Sequence, residues 1–390
     1  MNKPQIMKKN KKILILVNYL SFFLSHRLPI AEALLAKGFE VFIGYGELRG
    51  ADPKLLEQRG FKVDFIPMQP GSFNLLKDLK TIYCIWVFFN KVKPDIAHLI
   101  TIKPYLYGGI ISRLCGVRSL ITAVSGVGSL FVNKDLKSKL IRMLLYPIYK
   151  LAFNHLNQKV IVQNKDDLKI LVNWGGVNLS KIKLLKGSGV KLENFINLHE
   201  PDGILTVCFA ARLIRNKGVY EYVSAVRLLK ERGIKAQFLL AGDLDINNPT
   251  GLNLKDLNKL KDEGYVKIIG YQKDISILYA KSHIVCLPSY REGLPKSLIE
   301  AAAASRAVVT TDVPGCRDAI IPNKTGLLVP AKDSQKLADA LQWLIENPKE
   351  RIAMGKEGRK FAEKEFPIEK IIQNHLDIYE DLLSNSLRLT

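Results

Sequence analysis

Cysteine is scarce in this 390-residue chain. Cys84, Cys115, Cys208, Cys286 and Cys316 are the only five, and no two form a C-x-x-C pair. A disulfide framework is therefore not expected, and a reducing compartment is. Cys208 and Cys286 lie in apolar strand-like runs and read as small core residues. Long apolar runs are also missing. No stretch reaches about 20 uninterrupted apolar residues, so no membrane-spanning helix is expected. Lys8, Lys9, Lys11 and Lys12 before the apolar Ile13–Val17 imitate a signal peptide. Asn18 and Ser21 break that run, His26 and Arg27 follow at once, and no small-residue cleavage pattern is present. There is no internal repeat and no low-complexity tract. Acid is short in one half only: residues 1–200 hold 30 Lys+Arg against 13 Asp+Glu, the remainder 28 against 24. The net charge of +21 thus belongs mainly to the first half. Such a surface suits nucleic acid, anionic lipid or a phosphorylated substrate, or simply keeps a lysine-rich protein soluble.

What is present is enough apolar residue, 47%, for two cores, and the length suggests two domains. Apolar runs at 12–17, 41–44, 63–66, 96–100, 120–123 and 160–163 read as buried strands with helices between them. Pro29 opens a helical pattern that Gly38 stops. The pattern restarts after Pro201, with strands expected at 205–210, 237–241, 266–269, 284–288, 307–310 and 327–329. From Ser334 onward the chain reads as helices broken at Pro348 and Pro367. Alternating strands and helices imply an α/β architecture with parallel sheets. Lys186-Gly187-Ser188-Gly189-Val190 reads as a hinge. Residues 1–190 and 191–366 are expected to be two Rossmann-like domains facing across a cleft, with 367–390 a C-terminal helix returning to the first.

Two motifs carry chemistry. Arg291-Glu292-Gly293-Leu294-Pro295-Lys296-Ser297-Leu298-Ile299-Glu300 follows a strand. Gly293 permits a tight turn, Pro295 suits a first helical turn, and the helix start offers N–H groups to an anion. Glu292 and Glu300 can accept hydrogen bonds from sugar hydroxyls, or be ordinary acids near a helix start. Ala211-Arg212-Leu213-Ile214-Arg215-Asn216-Lys217-Gly218 follows the first strand of the second domain. Arg212 and Lys217 can neutralise a diphosphate, or be a solvated pair. Asp243-Leu244-Asp245, after a buried strand, imitates a D-x-D metal motif whose carboxylates can bind a divalent cation.

Together these residues resemble the GT-B glycosyltransferases of family 4. Glu292 and Glu300 match that family's E-x7-E motif; Arg212 and Lys217 match its Arg-x4-Lys. The resemblance covers nearly the whole chain. It implies retaining transfer from a nucleotide sugar, UDP-linked, without a metal or other cofactor. It implies that Arg212 and Lys217 hold the donor diphosphate, Glu300 the ribose and Glu292 the transferred sugar. Gly293 and Leu294 would add backbone N–H groups beside Pro295. Gly242 and Tyr271 look like the family's loops near the nucleotide, and the resemblance implies a Gly-acid loop at Gly242-Asp243 instead of a metal motif. The segment Gly187–Val190 looks like its interdomain hinge, although Lys191 replaces the usual acid.

In the first half, Asp95–Gly109 and Ser125–Phe131 resemble a bacterial subgroup that elongates polyprenyl-diphosphate-linked oligosaccharides, including N-acetylgalactosamine and related sugar transferases. Gly126 and Gly128 suit close approach to substrate, and Lys103 is a candidate for the acceptor diphosphate. His26, at the end of an expected loop over 18–25, and His98 are candidates to orient or polarise a hydroxyl, or structural histidines. Leu136–Lys150, apolar, aromatic and basic, suits an anionic membrane surface or a buried helix with solvated lysines. The expectation is a cytoplasmic enzyme, peripheral on the inner face of the cytoplasmic membrane, acting in surface polysaccharide (O-antigen, capsule) or glycoprotein glycan assembly. Its partners would be the UDP-sugar donor, the polyprenyl-diphosphate acceptor and the membrane, with no nucleic acid. The competing readings are a nucleotide-sugar epimerase of this architecture and a basic nucleic-acid- or membrane-binding protein without catalysis.

Overall fold

The computed structural model describes all residues except 1–9, 70–73, 129–130, 132–134, 197, 246–247 and 388–390. Lys8 and Lys9, and Ser129 and Leu130 of the second glycine segment, lie outside the described residues. Two compact units emerge: residues 1–188 with 369–390, and residues 189–368. The boundary at Ser188/Gly189 falls in the glycine segment, where Gly187 and Gly189 take φ of 72° and 76°.

The first unit contains β1 (Lys12–Tyr19), α1 (Leu20–His26), α2 (Leu28–Ala36), β2 (Glu40–Glu47), α3 (Lys54–Glu57), β3 (Lys62–Phe65) and α4 (Leu75–Val92). It continues with β4 (Ile96–Ile100), α5 (Gly109–Leu114), β5 (Ser119–Val124), α6 (Leu136–Ala152), β6 (Gln158–Val162), α7 (Lys165–Asn173) and β7 (Ile182–Leu184). The strands form one sheet in the order β3-β2-β1-β4-β5-β6-β7, and every pairing is parallel. A parallel sheet is covered on both faces, which is why β1 reads as an unbroken apolar run rather than an alternating one. One face packs on α4, α5 and α6 through Phe88, Phe89, Ile111 and Tyr149. The other packs on α1 and α2 through Phe23, Ile30 and Leu34. The expected loop over 18–25 is instead the end of β1 and most of α1. With no glycine or proline there, Leu20 and Phe23, one turn apart, bury one helical face.

The second unit contains β8 (Thr206–Ala210), α8 (Val219–Glu231), β9 (Gln237–Ala241), α9 (Leu254–Glu263), β10 (Lys267–Gly270), α10 (Ile275–Ala280) and β11 (Ile284–Leu287). It then runs through α11 (Lys296–Ala303), β12 (Ala307–Thr311), β13 (Gly326–Val329), α12 (Ser334–Glu346) and α13 (Pro348–Glu365). Its parallel sheet has the order β10-β9-β8-β11-β12-β13. Two buried polar side chains tie the layers. The Tyr222 hydroxyl on α8 donates to the carbonyls of Val207 and Leu239, 3.1 Å each, bridging β8 and β9. Arg306 is fully buried and donates to the carbonyls of Tyr279, Leu198 and His199.

The last helix, α14 (Ile368–Ser386), belongs almost entirely to the first unit. Its Leu376, Tyr379, Leu382 and Leu383 join the apolar cluster of β1, α1 and α2. Asn157 Nδ2 donates to the Leu382 carbonyl, 2.8 Å.

Candidate active site

In the second sheet, strand order reverses between β8 and β11. The chain runs outward from β8 through β9 to β10, then returns to β11 and runs the other way. Ligands of open parallel sheets bind at the carboxyl ends of the strands flanking such a reversal. Both motifs sit there, Ala211–Gly218 after β8 and Ser289–Glu300 after β11.

The two loops are bonded to each other. Tyr290 N donates to the Asn216 carbonyl, 2.9 Å, and Ser289 Oγ lies 2.9 Å from the same oxygen. Gly218 makes this approach possible. Its φ is +78°, and a Cβ there would stand 2.1 Å from the Pro288 carbonyl oxygen. Gly315, after β12, closes on the other side, where a Cβ would meet the Glu292 carbonyl oxygen at 2.5 Å. Glu292 N donates to the Pro314 carbonyl, 3.0 Å.

Within this frame Lys217 Nζ donates to Glu292 Oε1, and both side chains are mostly enclosed, 18% and 12% exposed. Ser289 Oγ is 2.6 Å from the same carboxylate oxygen. Ser289 is a site residue that the sequence reading missed; a lone serine at a strand end carries no signal until the fold brings it to a carboxylate. Arg212 Nη1 donates to Asp245 Oδ2, 2.8 Å, with Arg212 half exposed and Asp245 almost buried. The acid that imitated a metal motif is thus the counter-charge of the diphosphate-binding candidate.

Gly242 follows β9 with φ +144°, and a Cβ on it would stand 1.8 Å from the Ala211 carbonyl oxygen. Its N–H donates to the Gly270 carbonyl, 2.9 Å, drawing the ends of β9 and β10 together. Tyr271 follows β10 and is exposed. Gly293, Leu294 and Pro295 are buried at the turn into α11. Pro295 stands one residue earlier than its expected first-turn position. With ψ at 120° it is the N-cap, and its carbonyl accepts from Leu298 N at 3.1 Å. Glu300 lies inside α11 with Lys296 Nζ 3.2 Å away. Burial pushes its carboxyl above the ordinary carboxylate range, while Lys296 pulls the other way.

The first unit has its own reversal, between β1 and β4. Thr101, just past β4, holds φ +74°, and a π-helical turn follows at Pro104–Gly108. Gly128 has φ +85° with Ile102 against it. Lys103 is not a surface cation. It is buried, and its Nζ donates to Asp78 Oδ1 at 2.5 Å. His26 ends α1, stacks on Phe22 with centroids 4.2 Å apart, and its Nδ1 is 2.7 Å from Ser25 Oγ.

His98 has to be reassigned. It lies within β4, not beyond its end, and is 1% exposed. Its Nδ1 is 2.7 Å from the Tyr379 hydroxyl, and its ring stands 6.2 Å from that of His375. Burial drives its pKa well below the ordinary value, so it is a neutral core histidine rather than a catalytic one.

Similarity to known proteins follows the same division of the chain. Residues 190–361 match the model of glycosyl transferases group 1. Residues 12–164 match that of glycosyl transferase 4-like domains. The chain is 28% identical, over 93% of its own length and 99% of the relative's, to the N,N'-diacetylbacillosaminyl-diphospho-undecaprenol alpha-1,3-N-acetylgalactosaminyltransferase of Campylobacter jejuni. It is 25% identical, over 97% and 99%, to the capsular polysaccharide biosynthesis glycosyltransferase CapM of Staphylococcus aureus. It is 24% identical, over 82% and 84%, to an Escherichia coli UDP-Gal:alpha-D-GlcNAc-diphosphoundecaprenol alpha-1,3-galactosyltransferase. Among solved structures, Anabaena HepE in complex with UDP and glucose superimposes with a TM-score of 0.75 at 18% identity, covering 95% of this chain and 99% of that one.

Proposed function

The chain belongs to the family 4 glycosyltransferases of GT-B fold, and from that premise we propose that it moves a hexose or N-acetylhexosamine from a UDP-sugar to a polyprenyl-diphosphate-linked saccharide. Glycosyl transfer is the activity of the family. The finer reading is supported by relatives whose names specify undecaprenyl-diphosphate-linked acceptors and, for one, a UDP-galactose donor. The setting would be assembly of a bacterial surface polysaccharide or glycan, with the enzyme peripheral on the cytoplasmic face of the membrane. Among the described residues no helix is long and apolar enough to cross a membrane.

The observation that carries the proposal is the meeting of Lys217 and Glu292 at the β8/β11 reversal, with Arg212 at the same rim. In the proposed reaction, a donor diphosphate draws Lys217 and Arg212 from their carboxylate partners. Glu292 and Glu300 then turn to hydroxyls of the sugar and ribose. The bond from the anomeric carbon to the diphosphate oxygen breaks. A bond to the acceptor oxygen forms on the same face, and the acceptor proton leaves to the departing diphosphate. Configuration is retained. The protein contributes fixed positive charge where negative charge develops, and positioning. Two cations fill the role that a metal plays elsewhere, so chelation by EDTA is expected to leave the rate unchanged. A strict requirement for added Mg²⁺ or Mn²⁺ would refute that part.

The test is a panel of UDP-sugars offered with a short-chain polyprenyl-diphosphate saccharide and read by mass spectrometry. The expected product is acceptor plus one sugar, with UDP released in equal amount. Conversion of the donor to an isomer with no acceptor present would overturn the proposal in favour of epimerisation.

A further inference from the structure

The outer face of α4 is apolar where a solvated helix would be polar. Leu75, Leu76, Leu79, Tyr83, Trp86 and Val87 are all exposed, from 42% to 79%. At 100° per residue these six fall within about 120° of arc, which the exposed Asn90 shares near the helix end. Ile85, Phe88, Phe89 and Val92, which enter the core, occupy the other side. The exposed stripe therefore points away from the sheet. A stripe this wide marks a surface meant to be covered.

A second such stripe lies on the same side of the sheet. α4, α5 and α6 all feed one core cluster, and α5 packs against both of its neighbours. Outward on α6 are Leu136, Leu140, Met143, Leu144 and Leu151, all more than half exposed. Leu114, at the end of α5, is 73% exposed between them. Cations border both stripes: Lys80 on α4, Arg113 on α5, and Lys139 and Lys150 on α6 are exposed, and Lys91 on α4 is exposed but paired with Asp64 at 2.8 Å. Acid is missing from these helices. Asp78 is the sole carboxylate in α4, α5 and α6, and it is buried against Lys103.

We infer that the outward faces of α4 and α6 together form one docking surface for an anionic lipid bilayer, with α4 supplying its aromatic half. The inference rests on the proposed peripheral membrane location and names the surface responsible. Aliphatic and aromatic side chains enter the headgroup–acyl boundary, and lysines on the flanks meet lipid phosphates. A second copy of this chain is the poorer occupant. It would set one face whose helices are rich in cations and poor in acid against another, and like charges across an interface oppose association.

The experiment uses the full chain and flotation with two kinds of vesicle: phosphatidylcholine alone, and phosphatidylcholine with phosphatidylglycerol at about one lipid in three. Wild type is expected to float with the anionic vesicles, poorly with neutral ones, and less at high salt. A triple variant Leu76→Ser, Leu79→Ser, Trp86→Ser replaces exposed positions only. It is expected to keep its circular dichroism spectrum and its turnover of a short-chain acceptor, yet bind anionic vesicles at least about tenfold more weakly. Trp343→Ser, on α12 of the second unit, is expected to leave binding unchanged. Wild-type binding that the α4 variant retains in full would overturn this inference and leave the peripheral location standing. Absence of wild-type binding to either vesicle would overturn both. A wild-type dimer that the α4 variant dissociates, with vesicle binding unaltered, would assign the face to self-association instead.

Discussion

Lys217 meets its counter-charge within the protein, on Glu292, and the pair is held by Ser289 and the backbone of Asn216. The pair fixes where both groups start, and a bound diphosphate has to compete with Glu292 for Lys217. Lys217→Ala and Glu292→Ala are each expected to reduce turnover by about a hundredfold or more while the circular dichroism spectrum stays native. Wild-type rates from either folded variant, measured as UDP release, would remove that residue from the site. Gly218→Ala tests the frame rather than the charges. With φ at +78° and a carbonyl oxygen 2.1 Å from the added carbon, the loop must move. A loss of about 1–3 kcal/mol in stability is expected from denaturant melts, together with weaker UDP binding. At this scale the places of Arg212, Lys217 and Glu292 beside strand ends, and of Glu300 in the helix that follows, are legible in the sequence, while their roles are implied only by the family resemblance. Asp245 as the partner of Arg212, and Lys103 as a buried ion pair, were not legible, since each depends on which distant residue arrives beside it.

Among the elements, α14 does the least conspicuous work. It crosses back to the first unit and closes over β4, bringing His375 and Tyr379 to His98. Arg27, at the end of α1, is buried in the same unit, donates to Ser188 Oγ at 3.2 Å, and has its pKa lowered by burial to about 10. His375 is driven by burial, and by the nearby Arg27 charge, from 6.5 to about 3, and His98 is shifted in the same direction. Both imidazoles therefore bind protons more readily in the unfolded chain than in the folded one. Their contribution is intact above about pH 6.5 and is lost as pH falls below it, for His375 at about 1.4 kcal/mol per pH unit. Thermal melts from pH 7.5 down to 5.5 are expected to show a falling Tm. His375→Leu should flatten that slope, and an unchanged slope would mean that the ring is hydrated in solution. The sequence pattern located β4 to the residue but could not say that position 98 faces a returning helix.

The whole molecule holds two parallel sheets, each with its own reversal of strand order. If the second unit takes the nucleotide, UDP at a hundredfold excess over its Kd should stabilise that unit by about 2.7 kcal/mol. Lys217→Ala should diminish the resulting shift in Tm, and a shift that survives intact would detach the cations from diphosphate binding. The exposed stripe on α4 also belongs to this scale. From sequence, α4 reads as one more helix beside the basic first half. Its outward row of Leu76, Leu79 and Trp86 becomes visible only once Phe88 and Phe89 are seen to enter the core.

The amino-acid sequence alone determined the two α/β units, nearly every strand and the charged motifs at the ends of β8 and β11. It could do so because apolar runs and glycine-bounded turns are local signals, set by backbone sterics and burial within a few residues. Tertiary structure decided which charges pair, that the segment after β1 is helical, that His98 is core, and which helix faces stay outside. Those outcomes depend on residues as far apart as His98 and Tyr379, and only the folded chain brings such partners together.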